Sequence, residues 1–251
     1  DLLLHVAHHA VQARHDLVLR PRHPLDRQPA ALPGHRHLLE PRRRLQRRQR
    51  DRGREALDEA DAAKLTEVGA SFLRTTRRRR TPGTPFFIDK MPNNWTHIAL
   101  IQLALPNAKI IDARRHPLAC GWSCFKQHFA AGQDFSYDLT DIGRYYADYV
   151  RLMAHYDDVL PGRVHRVIHE HLVTDPEPHI RALLDHCGLP FEEQCLRPHE
   201  TERAVHTASA EQVRQPISAK GLDDWRAFEP YLDPLKKALG PVLDAYPDAP
   251  R

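Results

Sequence analysis

The sequence predicts an α/β fold built on a parallel sheet, and three stretches predict it. The apolar run Ala108–Ala113 reads as a buried strand; it ends in Arg114-Arg115, and a helix opens at Pro117, where proline is tolerated in a first turn. A second short run, Phe86 to Asp89, ends in Lys90 and a Pro92-Asn93-Asn94 turn, and a helix-like stretch from Trp95 to Leu105 leads from it to the first. A third run, Val164 to Ile168, precedes another helical pattern. Strands alternating with helices read as βαβ units, and the first two strands carry a cation at the carboxyl end, where open parallel sheets bind ligands.

The elements follow in order. Residues 55–77, rich in Ala, Leu and Glu, suit a helix. Strand 86–89, helix 95–104, strand 108–113 and helix 117–128 come next, then a loop over 132–138. Ile142, Tyr145, Tyr146, Tyr149, Val150, Met153 and Tyr156 recur at helical spacing over 141–159, and this Tyr/Met stripe reads as core rather than as a ligand box. After strand 164–168, Asp175 is placed to cap a helix over 176–187 that Gly188 ends. Residues 198–222 have few apolar anchors and read as a long loop, a kind that tends to be functional. Helices over 224–229 and 233–244 close the chain, and no internal repeat occurs.

Arg115 and Ser123 flank the strand-to-helix turn. A guanidinium fork and a hydroxyl near a helix start make a phosphate clamp, with an Arg salt bridge and a solvated Ser as the competing reading. The pair Asp89-Lys-Met-Pro-Asn-Asn94 and Asn107-Ala-Lys-Ile-Ile-Asp-Ala-Arg-Arg-His-Pro117 resembles the sulfotransferases that use 3′-phosphoadenosine 5′-phosphosulfate (PAPS), most closely the bacterial branch related to tyrosylprotein sulfotransferases and often fused to helical repeats. The resemblance continues through Asp141–Tyr146, Leu152–His155, Leu160–Gly162, His169–Val173, Cys187–Pro190 and Ser209–Pro216, covering roughly residues 55–245.

The resemblance implies a P-loop-NTPase-like sulfotransferase fold, a central parallel sheet flanked by helices, with PAPS as donor and a hydroxyl on a peptide, glycan or small molecule as acceptor. By it, Lys90 stabilises the leaving phosphate, and Arg115 and Ser123 bind the donor's 3′-phosphate. Lys220-Gly221, followed by Asp224-Trp225, corresponds to a basic-Gly loop that reaches the 3′-phosphate or adenine; Ser209 contacts the donor, with Gln212 and Arg214 in a lid. Three positions depart from the pattern: His169 replaces the tyrosine that helps hold adenine, His116 replaces the usual aspartate, and Asp224 replaces a basic residue. No general base is assigned, because Pro92 occupies the position where small-molecule relatives carry histidine.

The first quarter is written differently. Residues 1–63 use only ten residue types, and the ten absent types supply 58 of the 188 residues that follow. At that rate such a run has a chance on the order of 10⁻¹⁰, so the bias has a cause. The ten types present are those with codons beginning in C or G, as an out-of-frame reading of a GC-rich gene would give. Residues 1–54 are therefore expected to be frame-shifted text, with a natural Arg/His/Pro-rich disordered arm as the alternative, and residues 55–251 to be the sulfotransferase domain. The family's Pro-x-x-x-Gly-Thr-[Ser/Thr] phosphosulfate loop should fall near residue 15, where nothing matches; the N-terminal strand and its loop are lost or scrambled. A start at Asp1 rather than Met also fits a fragment.

The net charge of +4 divides into +8 over residues 1–54 and −4 over the remainder, which makes the domain a poor nucleic-acid platform. Cys120, Cys124, Cys187 and Cys195 show no Cys-x-x-Cys pairing and read as reduced, in a cytoplasmic setting. Of eighteen histidines, seven lie in residues 1–54 and none forms a His-Glu-x-x-His helix, so no metal is expected. No run is long and apolar enough for a membrane span, and no motif specifies an oligomeric state. The competing function is a non-catalytic or truncated nucleotide-binding remnant of the same fold; a P-loop kinase is disfavoured for want of Gly-x-x-x-x-Gly-Lys-[Ser/Thr].

Overall fold

The computed structural model describes residues 61–78, 80, 83, 85–129, 133–200, 214–219 and 221–250; residues 1–54 and the expected place of the phosphosulfate loop lie outside them. Helix α1, Ala62–Arg77, starts where the Asp61 carboxylate accepts from the Lys64 N–H at 2.7 Å, and it ends with Arg74 and Arg77 in its last turn. A 3-10 turn, Asn94–His97, leads into α2, Ile98–Ala104. Strand β1, Ile110–Arg114, feeds α3, Pro117–Lys126, with Pro117 in its first turn. Helix α4, Leu139–Val159, is capped by the Asp138 carboxylate, which accepts from the Thr140 and Asp141 N–H groups at 2.7 and 3.0 Å. Strand β2, Val164–Ile168, runs parallel to β1 in the register Ile110↔Val164 to Arg114↔Ile168. Helices α5, His169–Thr174, and α6, Pro176–Cys187, follow β2; α7, Asp233–Leu239, and α8, Pro241–Ala245, follow a 3-10 segment over Asp224–Tyr231.

The parallel α/β class holds, with corrections in detail. Residues 86–90 have no regular secondary structure and join no ladder with the described strands, against the expected strand. A strand needs a neighbour for its N–H and C=O groups. Among the described residues the sheet contains only β1 and β2, so the sheet's crossover runs through α3 and α4 rather than from residues 86–89. Ile88 nevertheless packs against the cluster of Val167, Leu172, Ile180, Leu183, Leu184 and Cys195. The Asp175 side chain makes no capping hydrogen bond, so α6 begins on Pro176 alone. Gly188 does end it: at φ +70° it lets its own N–H reach Asp185 O (3.0 Å) and the Leu189 N–H reach Leu184 O (2.9 Å). The helix expected over 233–244 breaks at Gly240, because Pro241 cannot continue it.

Helix α4 organises the core. Ile142, Tyr146 and Val150 pack with Leu118, Trp225, Leu232, Leu235 and Leu239, while Met153 and Tyr156 pack with Ile98. The Tyr/Met stripe is thus core, as its spacing implied. A methyl group on Gly143 would lie 2.6 Å from Ala238 Cβ and 2.9 Å from Leu235 O, so only glycine permits this approach of α4 and α7. Each leucine fully buried there stabilises the fold by roughly 1.5–3 kcal/mol.

All four cysteines are free thiols; Cys195 is buried and the others are half-buried. No described helix is long and apolar enough to cross a membrane.

Candidate functional site

The two arginines at the end of the run have different fates: Arg114 is the last residue of β1 and Arg115 the first beyond it. Arg114 is 1% exposed and faces the core. Its guanidinium pairs with Asp112 at 3.3 Å and donates to Tyr149 Oη at 3.2 Å and to Pro247 O at 3.0 Å. Asp112 also accepts from Tyr149 and from Arg166 (2.9 Å), its partner in the ladder, and Arg166 continues to Asp157 at 2.8 Å. Arg114 is thereby neutralised and structural.

Arg115 lies past the ladder, in the turn to α3. Its Nη2 donates to Gly221 O at 2.9 Å, while its Nε is buried without a hydrogen-bond partner. The turn itself is held at both sides of one peptide unit: Tyr146 Oη donates to Arg115 O at 2.6 Å, and the His116 N–H donates to Glu170 Oε1 at 3.0 Å. Trp225 stacks on the His116 ring at 5.1 Å and 11°, and Tyr246 meets that ring edge-on at 5.1 Å and 72°. His169 opens α5 directly after β2.

His116 Nδ1 and His169 Nδ1, like Arg115 Nε, are buried and unpartnered. Burial lowers the pKa of both imidazoles; Arg115 lowers that of His169 further, while Glu170 partly opposes the shift at His116. Arg115 Nε, His116 Nδ1 and His169 Nδ1 thus lie buried on residues that directly follow β1 or β2, each without a partner among the described residues. Unpaired buried polar groups of this kind are costly, and an anion would satisfy them.

The structure joins Arg115 to Gly221 by a hydrogen bond and sets His169 within electrostatic reach of Arg115. Gly221 sits at φ +82°, a conformation that favours glycine, and its carbonyl is thereby offered to Arg115. Ser123 is exposed on α3 and makes no hydrogen bond with a described residue, so it is not joined to Arg115. Lys90 is exposed at the end of the unpaired segment. The turn after it is anchored by Asn93, whose Oδ1 accepts from Tyr145 Oη at 2.7 Å. Ser209, Gln212 and Lys220 lie outside the described residues.

Sequence reasoning missed the supports. Tyr146 was legible as core and as part of a motif, Glu170 only as part of a motif, and Tyr246 carried no signal, since its partners Glu170 and His116 are far away in sequence.

A family model described as "Sulfotransferase family" matches residues 3–193. An uncharacterised protein of Aquifex aeolicus (strain VF5) is 36% identical over 175 residues, which is 65% of this chain but 23% of that protein. A Caenorhabditis elegans protein described as "Putative protein-tyrosine sulfotransferase" is 26% identical over 177 residues, 68% of this chain and 65% of that protein. The chain therefore spans less than two thirds of the length of either relative. The solved sulfotransferase domain from the curacin biosynthetic pathway aligns over 64% of this chain and 60% of its own, with a TM-score of 0.46 and 20% identity. Because the family model matches most of the chain, including β1, β2 and the Arg115 turn between β1 and α3, this protein belongs to the sulfotransferase family.

Proposed function

We propose that this chain holds the 3′-phosphate of PAPS at the carboxyl end of β1 and supports transfer of its sulfuryl group to a hydroxyl acceptor. The observation that carries the reading is that nitrogens of Arg115, His116 and His169 are buried with no partner among the described residues, while Gly221 fixes the Arg115 guanidinium. A charged fork with neutral imidazole donors suits a phosphate. Ser123, Ser209 and Lys220 would add donors, with Gly221 shaping the loop.

In the reaction the S–O bond to the donor's bridging oxygen breaks and a bond from sulfur to the acceptor oxygen forms. The acceptor's proton leaves to a base, and 3′,5′-ADP departs. Lys90 would neutralise charge developing on the leaving phosphate, a role suited to a compact ammonium. A peptide tyrosine is the first acceptor to try, because the Caenorhabditis elegans relative carries that description.

A second reading, a nucleotide-binding remnant without turnover, is favoured by the exposed position of Lys90 on a segment outside the sheet. Incubation with labelled PAPS and tyrosine peptides separates the two. The first reading expects a sulfate ester whose formation Lys90→Ala slows about 10²–10³-fold; the second expects bound 3′,5′-ADP and no ester. A protein that neither transfers the label nor retains the nucleotide contradicts both.

A further inference from the structure

We infer that Tyr246 and Glu170 are positioning residues for Arg115, a phenol–carboxylate latch that closes the carboxy-terminal segment over the end of β1 and sets selectivity for a 3′-phosphate. The inference rests on the donor site proposed above. Both Glu170 carboxylate oxygens are committed: Oε1 accepts from the His116 N–H at 3.0 Å, and Oε2 accepts from Tyr246 Oη. Burial alone would raise the Glu170 pKa, but the bonds from Tyr246 and the His116 N–H outweigh it and hold the carboxyl below its usual range. Burial, and then the carboxylate, push the Tyr246 phenol up, so it remains a donor at neutral pH.

The latch reaches further than one bond. The Tyr246 ring closes one side of His116 while Trp225 covers a face, and the next residue, Pro247, offers its carbonyl to Arg114 at 3.0 Å. Two consecutive residues near the end of the chain thus grip two consecutive segments at the end of β1. Arg115 is fixed at its carbonyl by Tyr146, at the following amide by Glu170, and at its guanidinium by Gly221. Oriented charge-assisted bonds tolerate little displacement of the donor, so loosening the peptide unit should cost binding to the phosphate that Arg115 meets and spare the rest of the nucleotide.

The test compares Kd values of the full chain for 3′,5′-ADP and 5′-AMP, which differ by the 3′-phosphate. The wild-type ratio should be about a hundredfold and Arg115→Ala should bring it close to one. Tyr246→Phe keeps the ring against His116 and removes only the hydroxyl; it should cut the ratio about tenfold through 3′,5′-ADP alone. Glu170→Gln, which turns one of the two accepting oxygens into a donor NH2 facing a donor, should do the same. If the wild type shows a large ratio that Tyr246→Phe and Glu170→Gln, folded by circular dichroism, leave intact, the latch has no positioning role. Equal weakening of both ligands would make it merely structural and overturn the inference. A wild-type ratio near one would instead overturn the donor-site reading on which it rests.

Discussion

Arg115 and Lys90 each follow an apolar run, yet the protein treats the two ends differently. Behind Arg115 stands a paired strand, a buried Asp112–Arg114–Arg166 network, and hydrogen bonds from Tyr146 and to Glu170 and Gly221. Behind Lys90 stands a segment outside the β1–β2 ladder, tied down by Phe87 against Phe72 and Arg80, by Ile88 in the core and by Asn93 against Tyr145. The Arg115 turn is held through a paired strand and a buried ion network, whereas the Lys90 segment is held by side-chain contacts of Phe87, Ile88 and Asn93. Binding of the nucleotide and turnover should therefore separate under mutation.

Removing one carboxylate from each end should show this most strongly. Asp112→Ala leaves Arg114 buried without its counter-charge and should destabilise the protein by about 3–5 kcal/mol in a denaturant melt. Asp89→Ala removes an exposed carboxylate whose bond to Asn94 is 3.4 Å long, and should change stability by no more than about 0.5 kcal/mol. Equal losses at both sites would break the comparison.

Lys90→Ala should reduce kcat about 10²–10³-fold while leaving the Kd for 3′,5′-ADP unchanged, measured by sulfate transfer and by calorimetry. Its converse, unchanged turnover with lost binding, would exchange the roles of the two ends.

Acid should weaken the Arg115 end next. Burial lowers the pKa of His116, His165, His169 and His186 below the ordinary histidine value. Below about pH 6.5 the unfolded chain takes up protons that these folded imidazoles refuse, so stability present above that pH is lost as pH falls toward the folded values. The melting temperature should fall between pH 7.5 and 5.5, and replacing His116 by Gln should flatten the slope. A melting temperature that rises on acidification would contradict the sign.

Tyr145→Phe should have a modest effect. It removes the bond to Asn93, costs about 1 kcal/mol of stability, and lowers turnover rather than affinity for 3′,5′-ADP.

Much of this was legible in the sequence where the signal is local. The strand over 164–168, the helix over 176–187 with its Gly188 stop, and the stripe along 141–159 follow from periodicity and one glycine, and the structure has them. The strand expected at 86–89 failed because an apolar run records burial, not pairing; Ile88 is indeed packed, but no described strand offers a ladder. In the site, Arg115 and Gly221 are both marked by local chemistry, and their meeting is visible only in three dimensions. Tyr246 is the clearest omission: a tyrosine near a chain end has no period to betray it, and its role exists only through Glu170 and His116.

The most direct measurement is a calorimetric titration of the full chain with 3′,5′-ADP, with Arg115→Ala alongside. The account predicts binding that disappears in the variant, with a thermal stabilisation of the wild type of about 2.7 kcal/mol at a hundredfold excess over Kd. Folded wild-type protein that takes up no nucleotide, or an Arg115→Ala variant that binds it equally well, would contradict the claim that the end of β1 is the phosphate grip.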